Sequence, residues 1–340
     1  MIKKRKKILY LGNKLSAKGS NLTGVEILGE QLKHHGYELI SVSDVSNKLL
    51  RLMHMLFTVI LKAKKVDVLL VDTYSTANFW YAYLSTKIAR FLKLPYICIL
   101  HGGDLPNRLI KSPKRCEEMF TNAKTNVAPS TYLISAFEKQ GYKKLTFIPN
   151  TIAIENYPFK HRNYTTPKLL WVRSFSELYN PLLAIKIFKQ LRNKYPSAEL
   201  CMVGPEKDGS LEKCKQLSSL ENLPVTYTGR LTKEDWINLS QEYNIFINTT
   251  NFDNTPVSVM EAMALGLPVV STNVGGLPFL IKNQYDGVLV EKENVNVFTE
   301  AIDKIIETPE FTKMITENAR KKVENFDWQV VKEKWDNVLQ

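Results

Sequence analysis

Two acids, Asp253 and Glu261, stand eight positions apart in the run "NFDNTPVSVMEAMALGLPVVSTNVGG" (251–276). On a shared helix they would lie about 80° apart around the axis and ~12 Å along it. Pro256 favours another arrangement, a loop that runs into the first turn of a helix with proline near its first position. Asp253 is then expected in the loop and Glu261 on the helix. Such a helix start presents free N–H groups and a positive dipole, which suits a phosphate-bearing or polyhydroxylated ligand. Arg173 ends the apolar run "LLWVRSF", where a permanently charged fork suits a diphosphate. The stretch "MVGPEKDGS" (202–210) brings Lys207 to the same rim, and "YTGRL" (227–231) brings Gly229. His101 closes "YICILHGGD", just before two glycines that let a ligand approach the backbone. Gly12 and Asn13 open the loop "LYLGNKLSAKGSNLTG", an anion loop by composition that matches neither GxGxxG nor a Walker pattern.

These residues need strand ends to hold them. Short β-rich runs alternate with helix-period segments through most of the chain: "KILYLGN", "YELISVS", "VDVLLVDT", "PYICILHGG", "TNVAPS" and "LTFIPN" in the first half. "KLLWVRS", "AELCMVGP", "VTYTGR", "NIFINTT", "LPVVSTN" and "DGVLVEK" follow in the second. Amphipathic stretches such as Val25–His35 and Phe79–Leu92 lie between them. Continuous apolar strands separated by helices predict parallel sheets covered on both faces, an α/β fold. The alternation lapses at the polar, aromatic, proline-flanked "IENYPFKHRNYTTP" (154–167). The expected organisation is a first Rossmann-like domain over 1–157, a linker over 158–167 and a second Rossmann-like domain over 168–325. The two doubly wound domains would face a cleft, with ligands beyond the carboxyl ends of the strands. The last segment, about 326–340, reads as an amphipathic helix with Asp327 as N-cap and Trp328, Val331 and Trp335 on one stripe.

The 340 residues suit two domains, and 44% hydrophobic with 24% charged residues is ordinary for a globular chain. Cys98, Cys116, Cys201 and Cys214 show no metal-ligand spacing, so a reduced, intracellular protein without zinc or disulfides is expected. The basic start has an apolar run too short for a signal peptide, and no stretch reaches the ~18 apolar residues of a membrane span. A net charge of +12 nevertheless calls for an acidic partner.

The block "DNTPVSVMEAMALGLPVVSTNVGG" resembles the nucleotide-sugar signature of the family 4 (group 1) glycosyltransferases, retaining enzymes of the GT-B fold. "HGG", "IPNTI" (148–152), the strand-end Arg173 and the "Phe-x-Trp" start of the last helix extend the resemblance over most of the chain. The resemblance implies that Glu261 binds a nucleotide ribose and Asp253 contacts hydroxyls of the donor sugar. The backbone around Thr255, Pro256, Val257 and Ser258 would face sugar and phosphate, although Pro256 has no N–H to give. Arg173 would hold the diphosphate, the Gly12–Asn13 loop would close over it, and His101 would contact the sugar near its anomeric carbon. Lys207 and Gly229 complete the expected donor-binding set. The last helix would cross back to the first domain. The implied chemistry is a retaining, metal-independent transfer of a sugar from a nucleotide diphosphate to an acceptor hydroxyl, with no cofactor and no metal site. The acceptor would be a glycan or a lipid-linked intermediate, in a setting such as polysaccharide assembly.

Two positions depart from the family pattern. Asp253 stands where the family has Glu. Leu178 stands where a lysine normally follows the arginine by five positions, a charge-assisted contact worth about 2–4 kcal/mol. Either Lys207 supplies the missing charge, or it is a solvated turn residue, or the enzyme is weakened.

The segment "NKLLRLMHMLFTVILKAKKVD" (47–67) is too short and too charged to span a bilayer. It suits a helix on an anionic membrane surface, or a helix buried against the first sheet with basic ends. The first of these places the protein in the cytoplasm, peripheral to the inner face of the membrane. The rival readings are a GT-B sugar-nucleotide epimerase or hydrolase, a Rossmann oxidoreductase, and a basic, non-catalytic nucleic-acid- or membrane-binding protein. Dispersed charge without a recognition motif argues against nucleic acid. The first strand lacks the GxGxxG that a dinucleotide needs.

Overall fold

The structure, a computed structural model, describes residues 5–15, 17 and 23–340. Most of the expected anion loop beyond Asn13, residues 16 and 18–22, lies outside the described residues. The chain divides into two compact units. One comprises residues 1–149 with 328–340, and the other residues 150–327.

The first unit is a parallel sheet of β1 (Lys7–Leu11), β2 (Glu38–Val42), β3 (Val68–Thr73), β4 (Tyr96–Leu100), β5 (Thr125–Ala128) and β6 (Leu145–Phe147), in the order β2-β1-β3-β4-β5-β6. The order reverses between β1 and β3, whose chains leave toward opposite edges. One face carries Leu9, Leu11, Leu69 and Val71 against Met55 and Val59 of the helix Lys48–Lys62 and Phe79 and Ala82 of the helix Phe79–Phe91. On the other face Ile8, Tyr10, Val68 and Ile97 meet Val25, Leu28 and Leu32 of the helix Gly24–His34. Strands buried on both faces explain why they read as unbroken apolar runs.

The second unit holds β7 (Lys168–Val172), β8 (Glu199–Val203), β9 (Val225–Gly229), β10 (Ile245–Asn248), β11 (Val269–Thr272) and β12 (Val288–Val290), all parallel, in the order β12-β11-β10-β7-β8-β9. Its reversal falls between β7 and β10. The paired sheets and their helices make the fold GT-B.

The final helix, Trp328–Leu339, belongs to the first unit. Val331, Trp335, Val338 and Leu339 bury against Ile8, Tyr10 and Val25. Asp336 fixes it by accepting from the Tyr37 hydroxyl at 2.7 Å and pairing with His35 Nε2 at 3.0 Å. Asp327, just before this helix, accepts from the Ile154 N–H at 2.9 Å.

Residues 158–167 run along the second unit. Arg162 donates to the carbonyls of Tyr243 and Leu265, and Lys160 N–H donates to Leu265. The four cysteines are buried and free. Burial pushes the thiols of Cys98, Cys116 and Cys214 up to about 12.

Candidate functional site

In doubly wound sheets, the carboxyl ends of the strands at the reversal open a crevice that elements on either side cannot fill. In the second unit that place is the end of β7 and β10, and Arg173 and Asp253 meet there. Arg173 directly follows β7. Its N–H donates to Val203 O at 3.0 Å, and its guanidinium carbon sits 4.1 Å from the centre of the Tyr179 ring. The guanidinium is ion-paired with the Asp253 carboxylate, and both side chains are only 15% exposed. Burial presses Arg173 below its ordinary range, with Tyr179 opposing the shift. The second carboxylate oxygen of Asp253, Oδ1, accepts from Asn254 N–H at 2.8 Å. The sequence assigned Arg173 and Asp253 to different parts of a ligand, and the structure sets them against each other.

Local chemistry explains the placement. Beyond β10, Thr249 Oγ1 accepts from the indole of Trp171 and donates to the Tyr179 and Asn180 carbonyls. Thr250 Oγ1 and Asn251 N–H donate to Leu178 O. These bonds lace the Asp253 loop to the turn that follows Arg173. The glycine pair of the motif holds the loop from the other side. Gly276 N–H donates to Asp253 O at 2.8 Å, and Gly275 has φ +54°. A Cβ on Gly275 would overlap the Asp253 carbonyl, and one on Gly276 the Asn254 carbonyl. The glycines of the signature are therefore the seat on which the acidic loop rests.

The helix Val257–Ala264 starts one residue after the proline, so Pro256 is its N-cap rather than its first residue. Its extended ψ of 121° places it outside the helix. Helix-start N–H groups, here those of Val257 and Ser258, precede any intrahelical acceptor. Beside them Thr255 Oγ1 and Ser258 Oγ are buried, with no hydrogen-bond partner among the described residues. Such buried donors are costly unless something completes them, which makes this helix end a candidate binding surface.

Glu261 lies on the same helix among buried Met260, Ala262 and Met263 and is 3% exposed. A carboxylate there needs partners. It accepts from the Tyr157 hydroxyl at 2.8 Å and is ion-paired with Lys233. Burial, then the charge of Glu261, raises the Tyr157 phenol well above its usual value.

Lys207 is exposed on the loop after β8. That loop is tied to the Arg173 loop, since Asp208 accepts from Ser176 Oγ at 2.8 Å and from Glu177 N–H at 2.9 Å. Among the described residues the Lys207 ammonium has no recorded ion pair. The start of the helix Ser210–Leu220 already has its anion, because Glu206 accepts from the N–H groups of Lys207, Asp208, Gly209 and Leu211. Gly229 ends β9 with φ +70°, and its carbonyl accepts from Gly204 N–H. Leu178 is 46% exposed.

In the first unit, Gly12 directly follows β1 and bonds across to β2, with its N–H donating to Val42 O at 2.8 Å. Asn13 O accepts from Thr23 Oγ1 at 2.7 Å. His101 follows β4, and its Nε2 is 2.8 Å from Asp72 Oδ1. Asp72, fully buried near the end of β3, also accepts from the Tyr10 hydroxyl at 2.8 Å. The Tyr74 ring stacks on His101 with centroids 5.2 Å apart. A Cβ on Gly12 would approach Asp72 Oδ2 to 2.6 Å, and one on Gly24 would meet the His101 ring at 3.0 Å. Both glycines thus make room for the acid–histidine pair.

Asp72, Tyr157, Tyr179 and Lys233 were not singled out from the sequence. Asp72 had a signal, an acid near the carboxyl end of the apolar run "VDVLLVDT", the same criterion that selects His101. Tyr157 and Lys233 carry no such mark, since only the folded chain brings them to Glu261.

The family model "Glycosyl transferases group 1" matches residues 153–322. A glycosyltransferase of Haemophilus influenzae, described as uncharacterized, is 26% identical over 193 residues, covering 56% of this chain and 53% of that protein. The capsular polysaccharide biosynthesis glycosyltransferase CapM of Staphylococcus aureus is 29% identical over 156 residues, covering 45% and 40%. The chain thus spans about half the length, or less, of these two relatives. The crystal structure of HepE from Anabaena in complex with UDP superposes with a TM-score of 0.78 at 16% identity, covering 98% of this chain and 99% of that one. Since the family model spans the whole stretch that carries Arg173, Asp253, Glu261 and the glycine seat, the chain belongs to the group 1 glycosyl transferases.

Proposed function

We propose that the protein is a retaining glycosyltransferase that moves a sugar from a nucleotide diphosphate to an acceptor hydroxyl of a glycan or lipid-linked intermediate. The observation that carries the reading is the rim of the second unit. A largely buried arginine, a helix start and two buried hydroxyls without partners among the described residues stand with the Glu261 carboxylate, which Tyr157 and Lys233 hold. Arg173 and the helix start stabilise charge on the departing diphosphate, in the way fixed donors stabilise developing anions. That supports a route without a resident metal. Thr255 and Ser258 donate to phosphate or sugar oxygens, and Glu261 accepts from the two ribose hydroxyls in exchange for Lys233. In the reaction the bond from the anomeric carbon to the diphosphate oxygen breaks. The acceptor oxygen bonds to that carbon from the same face, and its proton passes to the diphosphate. His101, oriented by Asp72, contacts the sugar. Lys207 supplies the charge that Leu178 does not.

UDP is the first nucleotide to test, because it is the ligand in the HepE complex. A thermal-shift screen of UDP-, GDP-, ADP- and TDP-sugars should find one nucleotide that stabilises the wild type and not Glu261→Ala. At 100 times its dissociation constant a ligand stabilises by about 2.7 kcal/mol. No shift with any of them at millimolar concentration would refute the donor assignment. Epimerised or hydrolysed donor in the absence of acceptor would replace transfer by one of the rival reactions. If Lys207→Ala leaves donor binding and turnover intact, the charge comes from elsewhere.

A further inference from the structure

The helix Lys48–Lys62 turns Arg51, Met55 and Val59 into the first unit, with Leu52 partly buried beside them. On the opposite side Leu49, Leu50, Met53, Phe57, Ile60 and Leu61 are exposed by 42–70%. At 3.6 residues per turn these six span an arc of roughly 120°, one continuous apolar face along four turns. Exposed apolar residues scattered singly are ordinary, but a contiguous face is an interaction surface. The helix Phe79–Phe91 packs beside it on the same face of the sheet and leaves Phe91 86% exposed at its end.

Charge identifies the occupant. No acidic residue occurs from Lys48 to Lys65 or from Phe79 to Lys93. Lys48, Lys62, Lys64 and Lys65 stand at the two ends of the apolar face. Past its last turn, Lys64 and Lys65 line a cavity of about 340 Å³ together with Arg5, Lys6 and Lys7. Its one acid, Asp67, accepts from the Lys7 N–H at 2.7 Å. A second copy of this chain would bring two acid-free basic faces together. A bilayer carrying anionic headgroups meets both the apolar stripe and its basic ends. Among the described residues no helix is long and apolar enough to cross a membrane.

We propose that this face of the first unit docks on an anionic lipid bilayer. The apolar stripe enters the boundary between headgroups and acyl chains, and the lysines at its ends pair with lipid phosphates. The proposal stands on this face alone and does not depend on the donor reading.

The test is flotation of the full chain with vesicles of phosphatidylcholine containing 30% phosphatidylglycerol, beside vesicles of phosphatidylcholine alone. The wild type should float with the anionic vesicles and lose most of that binding on pure phosphatidylcholine or in 0.5 M salt. Phe57→Ser/Leu61→Ser should weaken binding at least about tenfold, and Lys62→Gln/Lys64→Gln/Lys65→Gln by a similar factor. All five positions lie on or beside the exposed face, so both variants should keep the wild-type melt and nucleotide-induced shift. That separates this outcome from failure of the donor site. Absence of flotation would overturn the proposal. So would flotation untouched by the apolar double variant, or a concentration-dependent dimer that the same variant abolishes without vesicle binding.

Discussion

Replacing Asp253 with asparagine keeps the size of the side chain and removes the counter-charge of Arg173. Breaking a buried ion pair by deleting one partner costs about 3–5 kcal/mol, because the other charge stays desolvated. Here both side chains keep 15% exposure, and the Tyr179 face still holds the guanidinium, a contact worth about 1–2 kcal/mol. The expected loss is therefore about 2–3 kcal/mol. For a unit of the size of 150–327, each kcal/mol moves the midpoint by about 2–4 °C, so calorimetry should record a fall of roughly 4–12 °C. The same substitution frees Arg173 for an incoming diphosphate. UDP should then bind Asp253→Asn about tenfold tighter than wild type, which is 1.4 kcal/mol, and should stabilise the variant more. Arg173→Met/Asp253→Leu, which removes both charges, should recover most of the lost stability and none of the UDP binding. A melt within 1 °C of wild type together with unchanged UDP affinity would refute a charged, desolvated pair at this rim.

Gly275→Ala should be among the most damaging small substitutions, because a Cβ there overlaps the Asp253 carbonyl at a φ of +54°. The left-handed backbone alone costs about 1–2 kcal/mol, so a loss above 2 kcal/mol is expected in denaturant unfolding. Asp72→Asn should lower turnover at least tenfold while nucleotide affinity changes less than about twofold, since it releases His101 without touching the second unit. Equal losses in both would contradict that division. Hydrogen bonds from Ser210 Oγ and Glu177 N–H pull the Asp208 carboxyl down to about 2. A depressed carboxylate gives stability that is complete above its unfolded value, near 3.9, and that fades as pH falls toward 2. Acid titration of Asp208→Asn should lack that segment of the wild-type profile.

The central strands were legible because β3, β4, β10 and β11 are short apolar runs buried along their whole length, and burial of that kind leaves no alternation to misread. Arg173, His101 and the Asp253–Glu261 block were legible for a related reason: a polar residue at the end of such a run has few places to be except the rim. What the residues do to one another was not legible. That Asp253 faces Arg173, or that Tyr157 and Lys233 clamp Glu261, follows from contacts made across 80, 104 and 28 positions of chain. Local pattern carries no record of them. The run 47–67 allowed two arrangements that its residue pattern does not separate. In the fold the helix packs Leu52, Met55 and Val59 against the first sheet's core and leaves Leu49, Leu50, Met53, Phe57, Ile60 and Leu61 exposed.

The last helix has a consequence for how the protein is made. Strand β1 is synthesised long before the last helix, yet Ile8 and Tyr10 are covered by Val331 and Trp335, and Lys6 bonds to Gln340 across 334 positions. Until that helix leaves the ribosome, Ile8 and Tyr10 have only the helix Gly24–His34 over them. The second unit, though later in sequence, is a compact unit formed by the continuous stretch 150–327 and should be free to mature first. Domains usually fold in order of synthesis; here the order should invert, so that nascent chains stalled before Trp328 show protease resistance in the second unit while the first is still cut.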